Sequence, residues 1–187
     1  MRSSAAQAAT NRTRIIGEAA RLFREKGFDG IGVAEIMRRV GLTHGGFYGH
    51  FGSKEELMAL ACRRAVDEML ADWRARIEAA PGEPQASIAE PYLSAAHRDA
   101  PGTGCLMAAL GPDAARATPP VRRAVTDCLG EVLDVIAGEM LAADPTERRR
   151  SAIRMFASLV GALVVARAAD TPALSDEILE AVLSGLR

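Results

Sequence analysis

Apolar residues recur along the chain at three- and four-residue spacing, and no stretch alternates with period two, so the sequence reads as helical throughout. The first periodic segment covers residues 11–26, with Ile15, Ile16, Ala19, Leu22 and Phe23 on one stripe. Gly27 follows as a C-terminal stop. A shorter segment puts Val33, Ile36, Met37 and Val40 on one face before Gly41 breaks it. Leu42 resumes the apolar pattern. Thr43 is placed to cap a third short helix holding Phe47, Tyr48 and Phe51. Ser53 caps a fourth, and Glu56 three residues later completes a capping-box pattern. That long helix turns Leu57, Leu60, Ala61, Met69, Leu70, Trp73 and Ile77 inward and ends near Pro81-Gly82.

The remainder predicts five further helices. Residues 84–97 form one interrupted or kinked at Pro91. Ala100-Pro101-Gly102 reads as a turn, and a helix follows over 103–110. Pro119 or Pro120 starts the next, with Val121, Val125, Cys128, Leu129, Val132 and Ile136 along one side. After Asp144-Pro145 comes a helix through Ile153, Phe156, Val160, Leu163 and Val164. The last, after Pro172, carries Ile178, Leu179, Val182 and Leu186. The expected fold is all-α with about nine helices. It divides into a flexible tail (1–10), a helix-turn-helix domain (11–53) and a helical body (54–187) entered through a connecting helix over 54–80.

Composition narrows the function classes. The chain has 187 residues, 49% hydrophobic and 25% charged, as ordinary globular proteins do. No apolar run reaches the ~18 residues of a membrane span. Residues 1–10 are polar, without a signal-peptide core, so a cytoplasmic location and no membrane partner are expected. The three cysteines include no CxxC pair, and His44, His50 and His97 lack the i, i+4 spacing of a helical metal site, so neither metal nor cofactor is expected. Net charge is only −1. Its distribution is uneven: residues 1–54 hold nine Lys/Arg against four acids, and the remainder fourteen against twenty. A basic head on an acidic body suits a module that approaches phosphates, and it equally describes a solvated charged face.

Residues 33–54 carry the most information. Two short helices joined by a glycine-containing turn form a helix-turn-helix, with Gly41 supplying the left-handed backbone. The second helix, Thr43-His44-Gly45-Gly46-Phe47-Tyr48-Gly49-His50-Phe51, would lie in the major groove. Its three glycines are costly in a helix, at about 1 kcal/mol each relative to Ala. Close approach to DNA gives them a purpose; a glycine-rich loop is the other reading.

Gly41-Leu42-Thr43-His44-Gly45-Gly46-Phe47-Tyr48-Gly49-His50-Phe51-Gly52-Ser53-Lys54-Glu55-Glu56-Leu57 resembles the recognition-helix signature of the TetR family of transcriptional regulators. Ala19-Ala20-Arg21-Leu22-Phe23 and Lys26-Gly27-Phe28 are similar to that family's first helix. The resemblance covers roughly residues 12–60. It implies that Thr43, His44 and Gly45 meet base edges or phosphates, and that Tyr48, His50 and Lys54 contact the DNA backbone, with Phe47 and Phe51 in the core. Ile31 and Gly32 stand where many members have a Thr or Ser that caps the second helix and touches phosphate. Only Gly32 can cap here, weakly, and it is kept as a DNA-binding candidate. Val33 and Ala34 offer no hydrogen bonds, so fewer side chains are left to read DNA.

The same resemblance implies a homodimer built through residues 146–168 and 173–186, a double-stranded palindromic operator, and an unidentified small-molecule effector that releases it. Effector-pocket candidates are Trp73, Tyr92, Cys105, Met107 and Phe156; each is also an ordinary core residue by type. Thr103-Gly104-Cys105-Leu106 places Cys105 in a first helical turn, where N–H groups favour thiolate. Some family members carry a Gly-Cys-Leu element there, and a few sense electrophiles or oxidants through it. The expected function is ligand-responsive repression, with redox sensing through Cys105 or activation as the alternatives. An enzyme using Cys105 and His97 is not expected, because no acid partner or oxyanion loop accompanies them.

Overall fold

Alanine carries the first helix upstream of its apolar stripe. The computed structural model describes residues 5–186, and α1 spans Ala5–Lys26. The flexible tail expected over residues 1–10 is therefore helical from Ala5 onward, while residues 1–4 lie outside the described residues. Residues 5–10 show no apolar periodicity, but Ala has the highest helix propensity and simply extends the helix. Gln7 Nε2 also donates to Asn11 Oδ1 across one turn (3.2 Å).

The other elements are α2 (Val33–Arg39), a 3₁₀ turn η1 (His44–Gly49), α3 (Lys54–Ala79), α4 (Pro84–Tyr92), α5 (Ala95–Asp99), a 3₁₀ turn η2 (Pro101–Thr103), α6 (Leu106–Arg116), α7 (Pro119–Gly138), α8 (Pro145–Ala168) and α9 (Pro172–Gly185). Among the described residues there is no strand, and the class is all-α as the periodicity predicts.

Most starts and stops are local chemistry. Gly27 has φ +78° and donates its N–H to Phe23 O (2.8 Å), closing α1 in the left-handed manner. Ser53 Oγ accepts from Glu56 N at 3.1 Å and starts α3. Glu56 reaches back to the Gly52 N–H (2.7 Å), one residue beyond the position a standard capping box uses. Asp144 Oδ1 accepts from Thr146 N to start α8, and α7, α8 and α9 each have proline in the first turn.

Two boundaries differ from expectation. The kink expected at Pro91 falls after it, because α4 runs to Tyr92 and Ser94 then caps α5 by accepting from His97 N (3.2 Å). The helix expected over 103–110 starts later and runs to Arg116, through Pro112. The residues before it form η2.

The head packs α1, α2, η1 and the start of α3 around Ile15, Leu22, Phe23, Ile36, Met37, Phe47 and Leu57, all buried. Behind it α3 lies against α7, α7 against α8, and α8 against α9, with Leu70, Trp73, Ile88, Leu110, Ile136, Leu159 and Leu163 inside. By length and composition α8 could cross a membrane; one side of it packs Ala152, Met155, Phe156, Leu159 and Leu163 into this core.

Candidate nucleic-acid interface and body cleft

The turn between α2 and η1 is fixed by two backbone hydrogen bonds. Leu42 N donates to Met37 O (2.9 Å) and Gly41 N to Arg38 O (3.0 Å), with Gly41 at φ +73°. This pair of bonds requires a left-handed residue, which glycine supplies without a Cβ clash. The chain then turns sharply into the glycine-rich segment.

That segment is a 3₁₀ turn, not the α-helix the sequence predicts for residues 43–51. Gly45, Gly46 and Gly49 lower its helix propensity, so the tighter i→i+3 pattern prevails. Thr43 occupies the cap position without a side-chain cap bond. Gly32 likewise occupies the cap position of α2, and having no side chain makes no cap bond. Phe47 and Phe51 point inward with ring centroids 5.4 Å apart, and Phe47 is 1% exposed. Thr43, His44, Gly45, Tyr48 and Gly49 lie on the outer side, with Tyr48 71% exposed. His44 and Tyr48 stand edge to face at 6.5 Å. A Cβ on Gly45 or Gly49 would meet nothing within 4 Å. The packing of this chain therefore does not demand glycine at either position.

Several basic residues that charge counting assigns to phosphates are used inside the molecule. Arg12 donates to His50 O (3.3 Å) and Glu56 Oε1 (3.1 Å) and sits 5.0 Å over the Phe51 ring. Arg14 donates to Val40 O at 3.0 Å, and Lys54 Nζ to Phe28 O at 2.6 Å. Arg21 lies between Glu18 and Glu25, Arg38 and Arg39 share Glu35, and Arg24 is buried. Arg12 ties α1 to the end of η1 and the start of α3, and Lys54 ties the start of α3 to the loop after α1. Lys54 keeps two further N–H donors for an outside acceptor.

The body has its own concave site. A cleft of about 400 Å³ between α3, α4, α5 and η2 brings together Trp73, Tyr92 and Cys105 with Met69, His97 and Gly104. Two expected pocket residues do not line it. Phe156 lies behind Trp73, centroids 6.4 Å apart, and Met107 packs half-buried against the core near Gly111. Both belong to apolar helix faces, which the sequence pattern does not separate from cleft walls. A larger cleft of about 550 Å³ opens where α4 begins, beside Leu141, Leu183 and Leu186, and holds none of the expected residues.

His97 organises the smaller cleft. Its Nδ1 lies 2.7 Å from Tyr92 O and its Nε2 accepts the Cys105 N–H at 3.0 Å. The ring is thus neutral with the proton on Nδ1, and burial lowers its pKa. The Tyr92 hydroxyl is buried with no hydrogen-bond partner among the described residues, and burial, with the neighbouring Cys105 thiol, raises its pKa well above the ordinary phenol value.

Cys105 departs from the expectation of a thiolate-favouring first turn. It stands at the cap position before α6, its own N–H is taken by His97, and burial raises the thiol pKa. Cys62 is likewise buried, its pKa pushed up to about 12.

Comparison with known proteins agrees with this geometry. The family model described as bacterial regulatory proteins, tetR family, matches residues 15–61, which span the core of α1, α2, η1 and the start of α3. The head of this chain is thus similar to the TetR family over residues 15–61. A curated relative, the uncharacterized HTH-type transcriptional regulator YerO of Bacillus subtilis, is 33% identical over 86 residues, 46% of this chain and 30% of the relative. The chain thus matches less than a third of that relative's length. Solved structures share the fold over nearly the whole chain. A TetR-family regulator from Cytophaga hutchinsonii has TM-score 0.80 at 20% identity, covering 100% of this chain and 96% of its own. Reduced NemR of E. coli has TM-score 0.78 at 19% identity, covering 95% of each chain.

Sequence reasoning missed the residues that hold α5 and η2 against the helices around them: Arg24, His97, Arg98, Gly102 and Arg167. Their contacts span tens of residues, so no local pattern reveals them. The one available signal was Arg24 itself, a cation one residue after Phe23 and one turn after Ala20.

Proposed function

We propose that this chain is a DNA-binding transcriptional repressor that acts in the cytoplasm as a homodimer on a palindromic double-stranded operator. The observation that carries the reading is the exposed segment Thr43–Gly49, where Gly45 and Gly49 face open space beside an outward Tyr48. A surface without Cβ atoms lets a base edge or phosphate come against the backbone. Thr43, His44 and Gly45 meet base edges or phosphates. Gly32, Tyr48, His50 and Lys54 meet the DNA backbone, Tyr48 through its hydroxyl. With few base-reading side chains, part of the selectivity falls to DNA shape.

Dimerisation is supported by α8 and α9. Ile153, Val164 and Val165 on α8 and Leu174 on α9 are large apolar residues that are 42–54% exposed, with Ala157, Gly161 and Ala168 between them on the outer side of α8. A two-fold pair would bury this stripe in an isologous contact. The Trp73–Tyr92 cleft takes a small-molecule effector, which lowers operator affinity by binding the DNA-free setting of the heads more tightly. Burial of Cys105 favours this reading over thiol-based sensing. No catalytic step is assigned.

Selection from a randomised duplex pool, followed by binding titrations at rising salt, tests the reading. The selected duplexes should share an inverted repeat. Affinity should fall about 10³-fold or more between 50 and 200 mM salt if six or more phosphates are contacted. A pool that yields no enriched sequence overturns it.

A further inference from the structure

Lys54 opens α3 beside the head, and Ala79 closes it about 38 Å further along the axis. The cleft of about 550 Å³ lies at that remote end, where the start of α4 meets the residues that follow α7 and the last turn of α9. Gln85 Nε2 donates to Glu139 O (3.4 Å) and to Met140 Sδ (3.7 Å), which ties the first turn of α4 to the end of α7. Two walls of the cleft are thus bonded to each other. It shares no lining residue with the Trp73–Tyr92 cleft.

Part of the lining is apolar. Ala89 is 2% exposed, and Leu183 and Leu186 are half-buried against the core. Ala86 and Ala89 have no bulk beyond Cβ, which leaves depth over α4. Leu141, in the connection between α7 and α8, also lines the cleft and is 95% exposed. A lone exposed leucine is ordinary. One that edges a cavity with an apolar floor gives an occupant a further apolar side.

The rest of the lining is anionic. Glu83, Glu90 and Glu139 all face the cleft, and none of its lining residues is basic. Among the described residues, neither Glu83 nor Glu139 is ion-paired. Glu83 holds the cap position of α4, yet its side chain makes no cap bond. Glu139 holds the C-terminal cap of α7, at the negative end of the helix dipole, where a carboxylate is unfavourable. Neither carboxylate stabilises the helix it stands on, and both line the same cavity.

We propose that this cleft binds a small organic monocation with an apolar body. The cationic centre, an ammonium or phosphonium, sits by Glu83 and Glu139, and its hydrocarbon groups lie on Ala89, Leu141, Leu183 and Leu186. Carboxylates at a partly enclosed site attract such a charge more strongly than in open water and repel an anion of the same shape. A hydrated inorganic ion gains nothing from the leucine side. The volume falls within the range of small-molecule sites. The site is separate from the Trp73–Tyr92 cleft, and its occupancy does not depend on the DNA-binding reading of the head.

Tetraphenylphosphonium and tetraphenylborate share a shape and differ in the sign of their charge, so together they test both halves of the proposal. Isothermal titration of the full chain at low salt is expected to show saturable one-to-one binding of the phosphonium and none of the borate. Glu83→Gln and Glu139→Gln should each weaken the phosphonium about 2- to 5-fold, and the double variant more. Glu139→Gln should also leave Tm unchanged or raise it, because the carboxylate leaves a helix C-terminus. Leu141→Ser alters an exposed side chain, so Tm should hold while affinity falls about 10-fold. Asp72→Asn, at the Trp73–Tyr92 cleft, should change nothing.

Absence of saturable phosphonium binding overturns the proposal. Equal binding of the borate shows an apolar site without charge selection and overturns it too. Affinity that survives in the double glutamine variant, or that falls with Asp72→Asn, places the ligand elsewhere and has the same consequence. If Leu141→Ser leaves affinity intact and lowers the association state in sedimentation equilibrium, the cleft belongs to a second copy of the chain and the proposal fails.

Discussion

At the scale of single residues, the site is defined as much by missing side chains as by present ones. Gly45 has open space where its Cβ would be, so Gly45→Ala should leave stability unchanged or raise it by up to about 1 kcal/mol. The same change should weaken duplex binding by about 1–3 kcal/mol, as loss of a base-edge contact does. Thermal unfolding and a binding titration on one preparation separate the two effects. His97 offers a second residue-scale prediction. Its folded-state pKa is lowered by burial, so the native state takes up its proton later than the unfolded chain. Its contribution to stability is complete above the unfolded value, about 6.5. It is lost as pH falls below that value and levels off once pH passes below the lowered native value. Urea midpoints measured between pH 7.5 and 5 should show this loss in the wild type, and His97→Gln should remove that part of the slope. Cys105, buried with a raised pKa, should react with iodoacetamide at pH 7 no faster than an ordinary buried thiol.

Among elements, the turn at Gly41 matters most. Gly41→Ala forces a Cβ into φ +73° and should cost about 1 kcal/mol in a denaturant melt. Because the following 3₁₀ turn takes its direction from that residue, duplex affinity should fall by more than the lost stability explains. Much of this element was legible in the sequence: the glycine stops at Gly27 and Gly41, the Ser53 cap and the buried Phe47 and Phe51 are all local or periodic signals. The 3₁₀ form of η1 was not, because a periodicity of three and one of 3.6 are nearly indistinguishable over six residues. Nor was the helix over residues 5–10, which has propensity but no apolar face. The cleft was legible only in part. Trp73, Tyr92 and Cys105 meet in it, whereas Phe156 and Met107 share their residue type and periodicity but face the core. The arginine clamps on Gly102, His97 and Arg98 join residues 69–78 positions apart, and helical periodicity carries no information about such pairs.

For the whole molecule, charge is mostly spent internally. The basic excess over residues 1–54 suggested a free cationic face, yet Arg12, Arg14, Arg21, Arg38, Arg39 and Lys54 all have partners within the chain. The head therefore offers shape and a few donors more than a field of loose charge, which suits contact by fit. In the proposed dimer, placing two such heads on one duplex depends on the outer helices. Val165→Glu puts a carboxylate on the exposed stripe of α8, where the side chain is 54% exposed in a single chain. The monomer should fold as before by circular dichroism, while sedimentation equilibrium should show loss of the dimer. Hydroxyl-radical footprinting of the selected duplex tests the central claim most directly. The account predicts two symmetric protected patches about one helical turn apart, related by the dyad of an inverted repeat, and absent with Val165→Glu. A single unsymmetrical patch, or uniform cleavage at saturating protein, would contradict it.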